Sequence, residues 1–475
     1  MSVILHQNVA NRAPSQSQVT PTFRDPAGSL SFEADRVVRS IHPAARQSTL
    51  EFLESEFCHQ AQQRGDLVAA CIDDAPGGLR LIHPRIPVPT YPWEWTPSQW
   101  LAAAELTLAL CEEALSHGWI LKDATPLNIL FVGHRPVFVD ILSFEQHDPH
   151  ASIWLAYGQY MRTFLLPLLM NRELSWPLAL SLFKRDGYEP AELYQAMSWP
   201  QRLSRSVFWP ITLPAWLERG KKAEATSSNP TIGHKDDSEL AAHLLHRTLA
   251  DLRRRTLRAM PRNSGSAWAE YQQTLTHYTA EQAASKREWV RAALLKHKPA
   301  RVLDIGANTG EYSALATENG AEVIALERDA AAAERLFCMS RARSLPIQTI
   351  HADLARPTPA VGWENAESSA LIPRLAGQCD LVLMLAVIHH LILMEQIPIP
   401  AIVDLAHRLA ARHWLVEWVP VADPMYQSLM RGRVSLYGAL AESDLHTACD
   451  GLFTLLCRQT LDNGRVLLFF EKSTQ

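Results

Sequence analysis

After residue 298 the apolar positions fall into short runs separated by amphipathic stretches, the alternation of a buried parallel sheet wrapped by helices. ARVLDIG, ending at Gly306, predicts a strand, and EYSALATENG a helix stopped by Gly320. AEVIALE, ending at Glu327, is a second strand and DAAAAERLFCMSRARS a second helix. PIQTIHAD and CDLVLMLAV supply two further strands, IPAIVDLAHRLAA a helix and HWLVEWV a fifth strand. Two last apolar runs flank Asp462-Asn463-Gly464, a turn signature that predicts a β-hairpin. Parallel β/α units closed by an antiparallel hairpin make an α/β domain with a seven-stranded mixed sheet.

The earlier chain reads differently. Residues 1–22 are polar and expected to be loose, and 23–216 mix short strand-like runs with apolar helices and many Trp and Pro residues. Residues 217–239 lose their large apolar side chains and gain Ser, Lys, Asp and Gly, the composition of a flexible linker. Residues 240–267 open with Leu at helical spacing and carry Arg253, Arg254, Arg255 and Arg258, a helical connector with a solvated basic face. The α/β domain then occupies 268–475.

A chain of 475 residues exceeds one hydrophobic core, in keeping with two domains. With 47% hydrophobic and 20% charged residues and a net charge of -5, it has the composition of a soluble globular protein, and nucleic acid is the least expected partner. The seven cysteines stand singly, without a CxxC pair, so they predict buried thiols in a reducing cytoplasm rather than disulfides or a zinc site. MSVILHQNVANRAPSQSQ has no charged n-region leading into an apolar core, which argues against a signal peptide. The most apolar stretches are too short for a bilayer or are broken by His389 and His390, so no membrane segment is expected.

Candidate chemistry begins at Asp304-Ile305-Gly306-Ala307-Asn308-Thr309-Gly310, where a strand runs into a Gly-rich turn and a helix start. Glu327 ends the next strand, where an acid can accept both ribose hydroxyl hydrogens. A nicotinamide cofactor calls for GxGxxG, but the positions two and five after Gly306 are Asn308 and Glu311, and a carboxylate at Glu311 opposes a pyrophosphate. S-adenosylmethionine carries a sulfonium and no phosphate, and suits that turn better.

LDIGANTGEYS resembles motif I of the class I S-adenosylmethionine-dependent methyltransferases, a Rossmann-like family, although the usual GxGxG centre reads Gly-Ala-Asn-Thr-Gly here. The resemblance implies that Asp304, Gly306, Asn308 and Gly310 shape the methionine and ribose site and that Glu327 holds the ribose. It implies further that Asp353 meets the adenine amine, that Asp380 opens the fourth strand as part of the cofactor site, and that AVIHHL faces the methyl acceptor. It extends to WAEY at Trp268, to His277-Tyr278, Lys286, the loop ending at Trp363, and VEWVPVADPM with Trp418. These features are similar to a group of bacterial methyltransferases to which a rhizobial nodulation host-specificity protein is also related.

His389 and His390 follow the fourth strand, at the edge where open α/β sheets bind ligands. Either one acts as base or orients the acceptor, or both only bond to loop backbone; Glu417 and Asp423 are second-rank acceptor contacts.

In the N-terminal half, Asp123, Asn128 and Asp140 stand at the spacing D-x4-N-x11-D after an apolar helix ending in SHGW. This region resembles the catalytic loop and metal-binding strand of the protein kinase and small-molecule kinase superfamily, and implies an α+β kinase-like domain over 23–216. In that likeness Asp123 is the base, Asn128 and Asp140 bind magnesium, ATP is the nucleotide, and SLSFEADRVVRSI is a shortened hairpin with Arg39 where a Lys is expected. Leu121 replaces the usual His, no Gly follows Asp140, and no Gly-rich phosphate loop precedes, which favours a degenerate nucleotide- or substrate-binding domain over an active kinase. The expectation is a cytoplasmic methyltransferase acting on a small molecule, saccharide or protein. The alternatives are a non-catalytic scaffold retaining both folds and a bifunctional kinase-methyltransferase. Oligomeric state has no signature in the sequence.

Overall fold

The computed structural model describes residues 25–75, 78–221, 237–261 and 279–473. The expected loose terminus, most of the expected linker, the end of the connector, Trp268 and His277-Tyr278 lie outside the described residues.

Strand β1 (Gly28–Phe32) folds back on β2 (Arg36–Ile41) as the expected hairpin. Helices α1 (Arg46–Glu54) and α2 (Glu56–Arg64) follow, joined at Ser55, whose hydroxyl accepts the Cys58 N–H and caps α2. Strands β3 (Cys71–Ala75) and β4 (Gly78–Pro84) complete an antiparallel sheet in the order β1-β2-β4-β3. The long helix α3 (Pro97–Ser116) starts from a capping box between Thr96 and Gln99. It leads to four short strands: β5 (Trp119–Leu121), β6 (Ile129–Val132), β7 (Arg135–Phe138) and β8 (Phe144–Gln146). β6 and β7 form a hairpin, while β5 pairs with β8, so the loop between β5 and β6 and the turn after β7 are drawn together.

Helix α4 (Ser238–Ala259) was expected as a separate connector, but its Leu245, Leu249 and Leu252 are buried in the same core as Trp100 and Phe164. Periodicity showed that the helix has an apolar face but not which core it would meet. Its basic face is largely ion-paired, Arg253 with Glu112 and both Arg254 and Arg255 with Asp251.

The C-terminal half begins with α5 (Ala280–His297), then β9 (Arg301–Ile305), α6 (Glu311–Glu318), β10 (Glu322–Glu327), α7 (Ala330–Ala342), β11 (Ile347–His351) and β12 (Cys379–Met384). After these come α8 (Ile388–Leu393), α9 (Ile399–Leu409), β13 (Ala410–Trp418), α10 (Pro424–Met430), β14 (Phe453–Thr460) and β15 (Val466–Lys472). The sheet has seven strands in the order β11-β10-β9-β12-β13-β15-β14; β9 to β13 are parallel, and β15 runs antiparallel to both neighbours. The fold is the expected Rossmann-like one. The reversal of order at β9 and β12 opens a crevice at the carboxyl ends of the parallel strands, where such sheets bind ligands.

The halves are docked through residues 88–99. The carboxylate of Glu94, fully buried, pairs with Arg374 and accepts the Thr358 hydroxyl. The Gln348 side chain donates to the Val88 carbonyl at 2.6 Å and Gln99 to the Thr349 carbonyl at 3.1 Å. Phe337 of α7 is buried in the N-terminal core. Four cysteines are buried, but Cys71, Cys338 and Cys457 are exposed, unlike the expectation for all seven. Among the described residues no helix is long and apolar enough to cross a membrane.

Candidate active site

The carboxyl ends of β9, β10 and β12 surround a cavity of about 620 Å³. Its floor is the turn after β9. Gly306 (φ 71°) and Gly310 (φ 91°) take left-handed backbone, and a Cβ on Gly306 would lie 2.6 Å from the Val387 side chain, so that position admits no other residue without displacement. Asn308, between them, is also left-handed at φ 50°. The departure from GxGxG is therefore one of side chain and not of backbone path, since Asn tolerates this region better than most residues.

Two carboxylates face the turn from below. Asp304 is buried and accepts the Ser313 hydroxyl at 2.6 Å. Burial pushes its pKa up to about 6, with the nearby Glu327 adding to the rise, against the Ser313 bond and the Lys286 charge. Glu327, at the end of β10, accepts the N–H groups of Asn308 and Asp329, both at 2.7 Å; burial also raises its pKa. The Asn308 side-chain oxygen is buried with no hydrogen-bond partner. Paired acids and an unsatisfied acceptor at a Gly-lined turn fit a polar cofactor with hydroxyl and amino donors.

Asp353 lines the cavity beside Ala352 and Leu354, with its carboxylate on the Ala355 N–H and the Arg356 guanidinium. Asp380 is not brought to the site. It opens β12, and its carboxylate accepts the Ala300 and Arg301 N–H groups. A parallel strand carries only its last residues to the ligand edge, so an acid at the start of β12 holds the opposite end of the sheet.

His389 and His390 both line the cavity, their rings 4.2 Å apart. Burial, reinforced by Arg328 and Arg465, lowers the His390 pKa to about 4, so its imidazole is neutral at physiological pH. Glu417 and Asp423 are held in a buried charge network and do not line the cavity. Glu417 pairs with Lys286 at 2.6 Å and with Arg465 at 3.3 Å, and Asp423 pairs with Arg465 at 2.8 Å. Lys286 and Arg465 are the members that reach the cavity wall, with the Lys286 ammonium 5.1 Å from the centre of the Tyr312 ring. Arg465, Tyr312, Arg328 and Glu395 were missed by sequence reasoning. Arg465 follows the hairpin Gly directly, and only the fold-back of β15 along β13 returns it to the site. Trp418 is buried in the core, whereas Trp363 is exposed and away from the cavity.

Residues 242–423 match the family model described as a methyltransferase domain. The chain carries a methyltransferase domain. The match begins inside α4, a helix that packs in the N-terminal core, and stops before the closing hairpin. Nodulation protein NoeA of Rhizobium meliloti (strain 1021) is 29% identical over 97% of this chain and 97% of its own, so its likeness runs through both halves. Among solved structures, the N-methyltransferase NodS from Bradyrhizobium japonicum WM9 covers 41% of this chain and 98% of its own at 16% identity and a TM-score of 0.30. The bifunctional kinase-methyltransferase WbdD covers 43% of this chain and 41% of its own at 15% identity and a TM-score of 0.31.

A second cavity, of about 850 Å³, lies against the methyltransferase domain in the N-terminal half and gathers Asp123, Asn128, Asp140 and Arg39. Tyr91 and Trp93 supply aromatic wall, and Val361, Gly362, Glu367 and Ser368 of the methyltransferase half close one side. Burial raises the Asp123 pKa, and the charge of Asp140 adds to it. The expected metal donors are already engaged. Asp140 pairs with Arg39 at 2.8 Å and accepts the Ser143 hydroxyl, while the Asn128 amide donates to Ser143 at 3.0 Å. Among the described residues no group of three or more His, Cys, Asp or Glu side chains could hold a metal ion. Asp140 and Asn128 are thus committed to protein partners rather than to a shared metal.

Proposed function

We propose that the C-terminal cavity binds S-adenosylmethionine and that the chain transfers its methyl group to a small-molecule, saccharide or protein acceptor. The observation that carries this reading is the turn at Gly306 to Gly310 with the buried acids Asp304 and Glu327 beneath it. Glu311 opens α6 and lines the same wall, which disfavours a pyrophosphate and is neutral toward a sulfonium. When bound, the cofactor supplies an electrophilic methyl group on a sulfonium.

Glu327 accepts from the ribose hydroxyls, and Asp304 with the Asn308 side chain takes the donors around the methionine and ribose. Asp353, on the cavity wall, takes the adenine amine. The residues after β12 hold the acceptor in line and keep water out. His390, neutral and lowered in basicity, orients an acceptor hydroxyl or amine better than it removes a proton, and His389 supports it from the buried side. The full-length likeness to NoeA supports nodulation as the setting.

For the N-terminal half we propose a degenerate kinase-like domain that binds a nucleotide or the acceptor. The four-stranded antiparallel sheet, with α1 and α2 between its second and third strands in the chain, and the convergence of Asp123, Asn128, Asp140 and Arg39 on one cavity, support that reading. Methyl-labelled S-adenosylmethionine added to fractionated bacterial extract tests the enzyme reading. A labelled species formed by the wild type and absent with Asp304→Ala identifies the acceptor class; no label in any fraction leaves a non-catalytic scaffold.

A further inference from the structure

The second cavity presents buried polar atoms that the protein leaves unsatisfied. Trp93, only 6% exposed, lines it, and its indole N–H has no hydrogen-bond partner among the described residues. The Nε–H of the buried Arg39 and the Ser181 hydroxyl belong to residues on the same wall and also lack partners among the described residues. A buried indole N–H is normally bonded, so an orphan on a cavity wall points to an acceptor supplied by a ligand. Aromatic surface lies beside these donors. The Tyr91 and Trp93 rings stand 5.1 Å apart, and Phe183, 79% exposed, borders the cavity at the end of the short helix Leu178–Phe183. An exposed apolar ring at the edge of a polar cavity suits a ligand with one apolar face.

Donors alone would also suit an anion, but the charge on the wall opposes one. Its cations are Arg39, Lys122, Lys184 and Arg185, and all but Lys122 already face carboxylates. Arg39 meets Asp25 at 3.2 Å and Asp140 at 2.8 Å, Lys184 meets Glu192 at 2.9 Å, and Arg185 meets Glu367 at 3.2 Å. Asp123 lines the same space and is in no ion pair among the described residues. Its pKa, raised by burial and then by Asp140, shows that further negative charge is poorly tolerated there. A phosphate would meet Asp123 while Asp140 and Asn128 are committed to Arg39 and Ser143. A hydroxyl, by contrast, donates to a carboxylate and accepts from an N–H. A sugar ring carries such hydroxyls on its edge and C–H groups on its faces, which matches the mixture of acids, orphan donors and aromatic wall.

Building on the reading of this cavity as a ligand site, we propose that it binds an uncharged saccharide, with the Trp93 N–H donating to one sugar oxygen and Asp123 accepting from a hydroxyl. Glu367 and Ser368 come from the methyltransferase half, so the bound sugar touches both domains. The test is an array of neutral and anionic oligosaccharides probed with the labelled full chain, followed by calorimetric titration of the strongest neutral binder and, separately, of ADP. The expected result is binding of neutral glycans. Trp93→Phe, which removes the N–H and keeps a ring, and Asp123→Asn should each weaken it by about tenfold. Asp123→Asn also relieves a desolvated carboxyl, so the ligand-free variant should keep or exceed the wild-type melting temperature, which separates lost binding from lost folding. Neutral glycans bound equally well by both variants, or anionic glycans alone bound, overturn the proposal. ADP bound with no glycan bound also overturns it and leaves the cavity a ligand site of another class; binding of neither removes the ligand-site reading as well.

Discussion

Asp304 carries the clearest pH signature in the molecule. Its pKa in the folded, unliganded protein is about 6, above the ordinary aspartate value of 3.8, because the carboxyl is wholly buried. The folded cavity thus holds a proton in the window between those values that the unfolded chain releases, and ionised Asp304 costs stability above pH 6. A cationic ligand reverses the preference by favouring the carboxylate. Affinity for S-adenosylmethionine is therefore expected to fall as pH drops through about 6, by up to about tenfold per pH unit, with proton release on binding near that pH. Calorimetric titration from pH 5 to pH 8 in buffers of different ionisation enthalpy checks this, and Asp304→Asn should flatten the profile. His390, with a pKa of about 4, stays neutral throughout and does not contribute. At this scale the sequence was informative about position: that Asp304 and Glu327 lie at the ends of adjacent strands and that a Gly-rich turn follows Asp304 could be read directly, because strand ends and turns are local. Asp380 could not, since its place on a strand says nothing by itself about which sheet edge it serves.

Among the elements, the parallel strands and the closing hairpin were legible because their patterns are short-range. The contents of the charge network were not. Lys286 on α5, Glu417 on β13, Asp423 capping α10 and Arg465 just before β15 meet only through the sheet order. Removing one member strands its buried partners, so Arg465→Ala is expected to cost about 3–5 kcal/mol of stability, measured by denaturant unfolding, whereas Glu311→Gln at the cavity rim should cost far less. In the N-terminal half the Asp123, Asn128 and Asp140 spacing did converge on one cavity, but spacing does not reveal that Arg39 and Ser143 engage Asp140. If this cavity takes a nucleotide, thermal stabilisation by ADP or ATP should be the same in EDTA as in magnesium. Stabilisation seen only with magnesium would show that Arg39 yields Asp140 to the metal.

At the scale of the whole molecule the two halves share buried charge. Glu94 and Arg374 are both buried, and Arg374 also covers the Tyr91 ring at 4.7 Å, on a segment whose Tyr91 and Trp93 line the second cavity. We expect the wild type to unfold in one cooperative transition and Arg374→Ala to separate it into two, as followed by calorimetry. This docking was invisible in the sequence, because residues 88–99 carry no motif and their partners lie some 250 to 280 residues away.

We read the turn above Asp304 and Glu327 as a methyl-donor site. Calorimetric titration of S-adenosylmethionine into the full chain and into Glu327→Ala tests it most directly. One site per chain is expected in the wild type and affinity at least about tenfold weaker in the variant, the loss of a charge-assisted pair of ribose hydrogen bonds. No heat of binding in the wild type at any pH above 6, or equal affinity in both proteins, would contradict it.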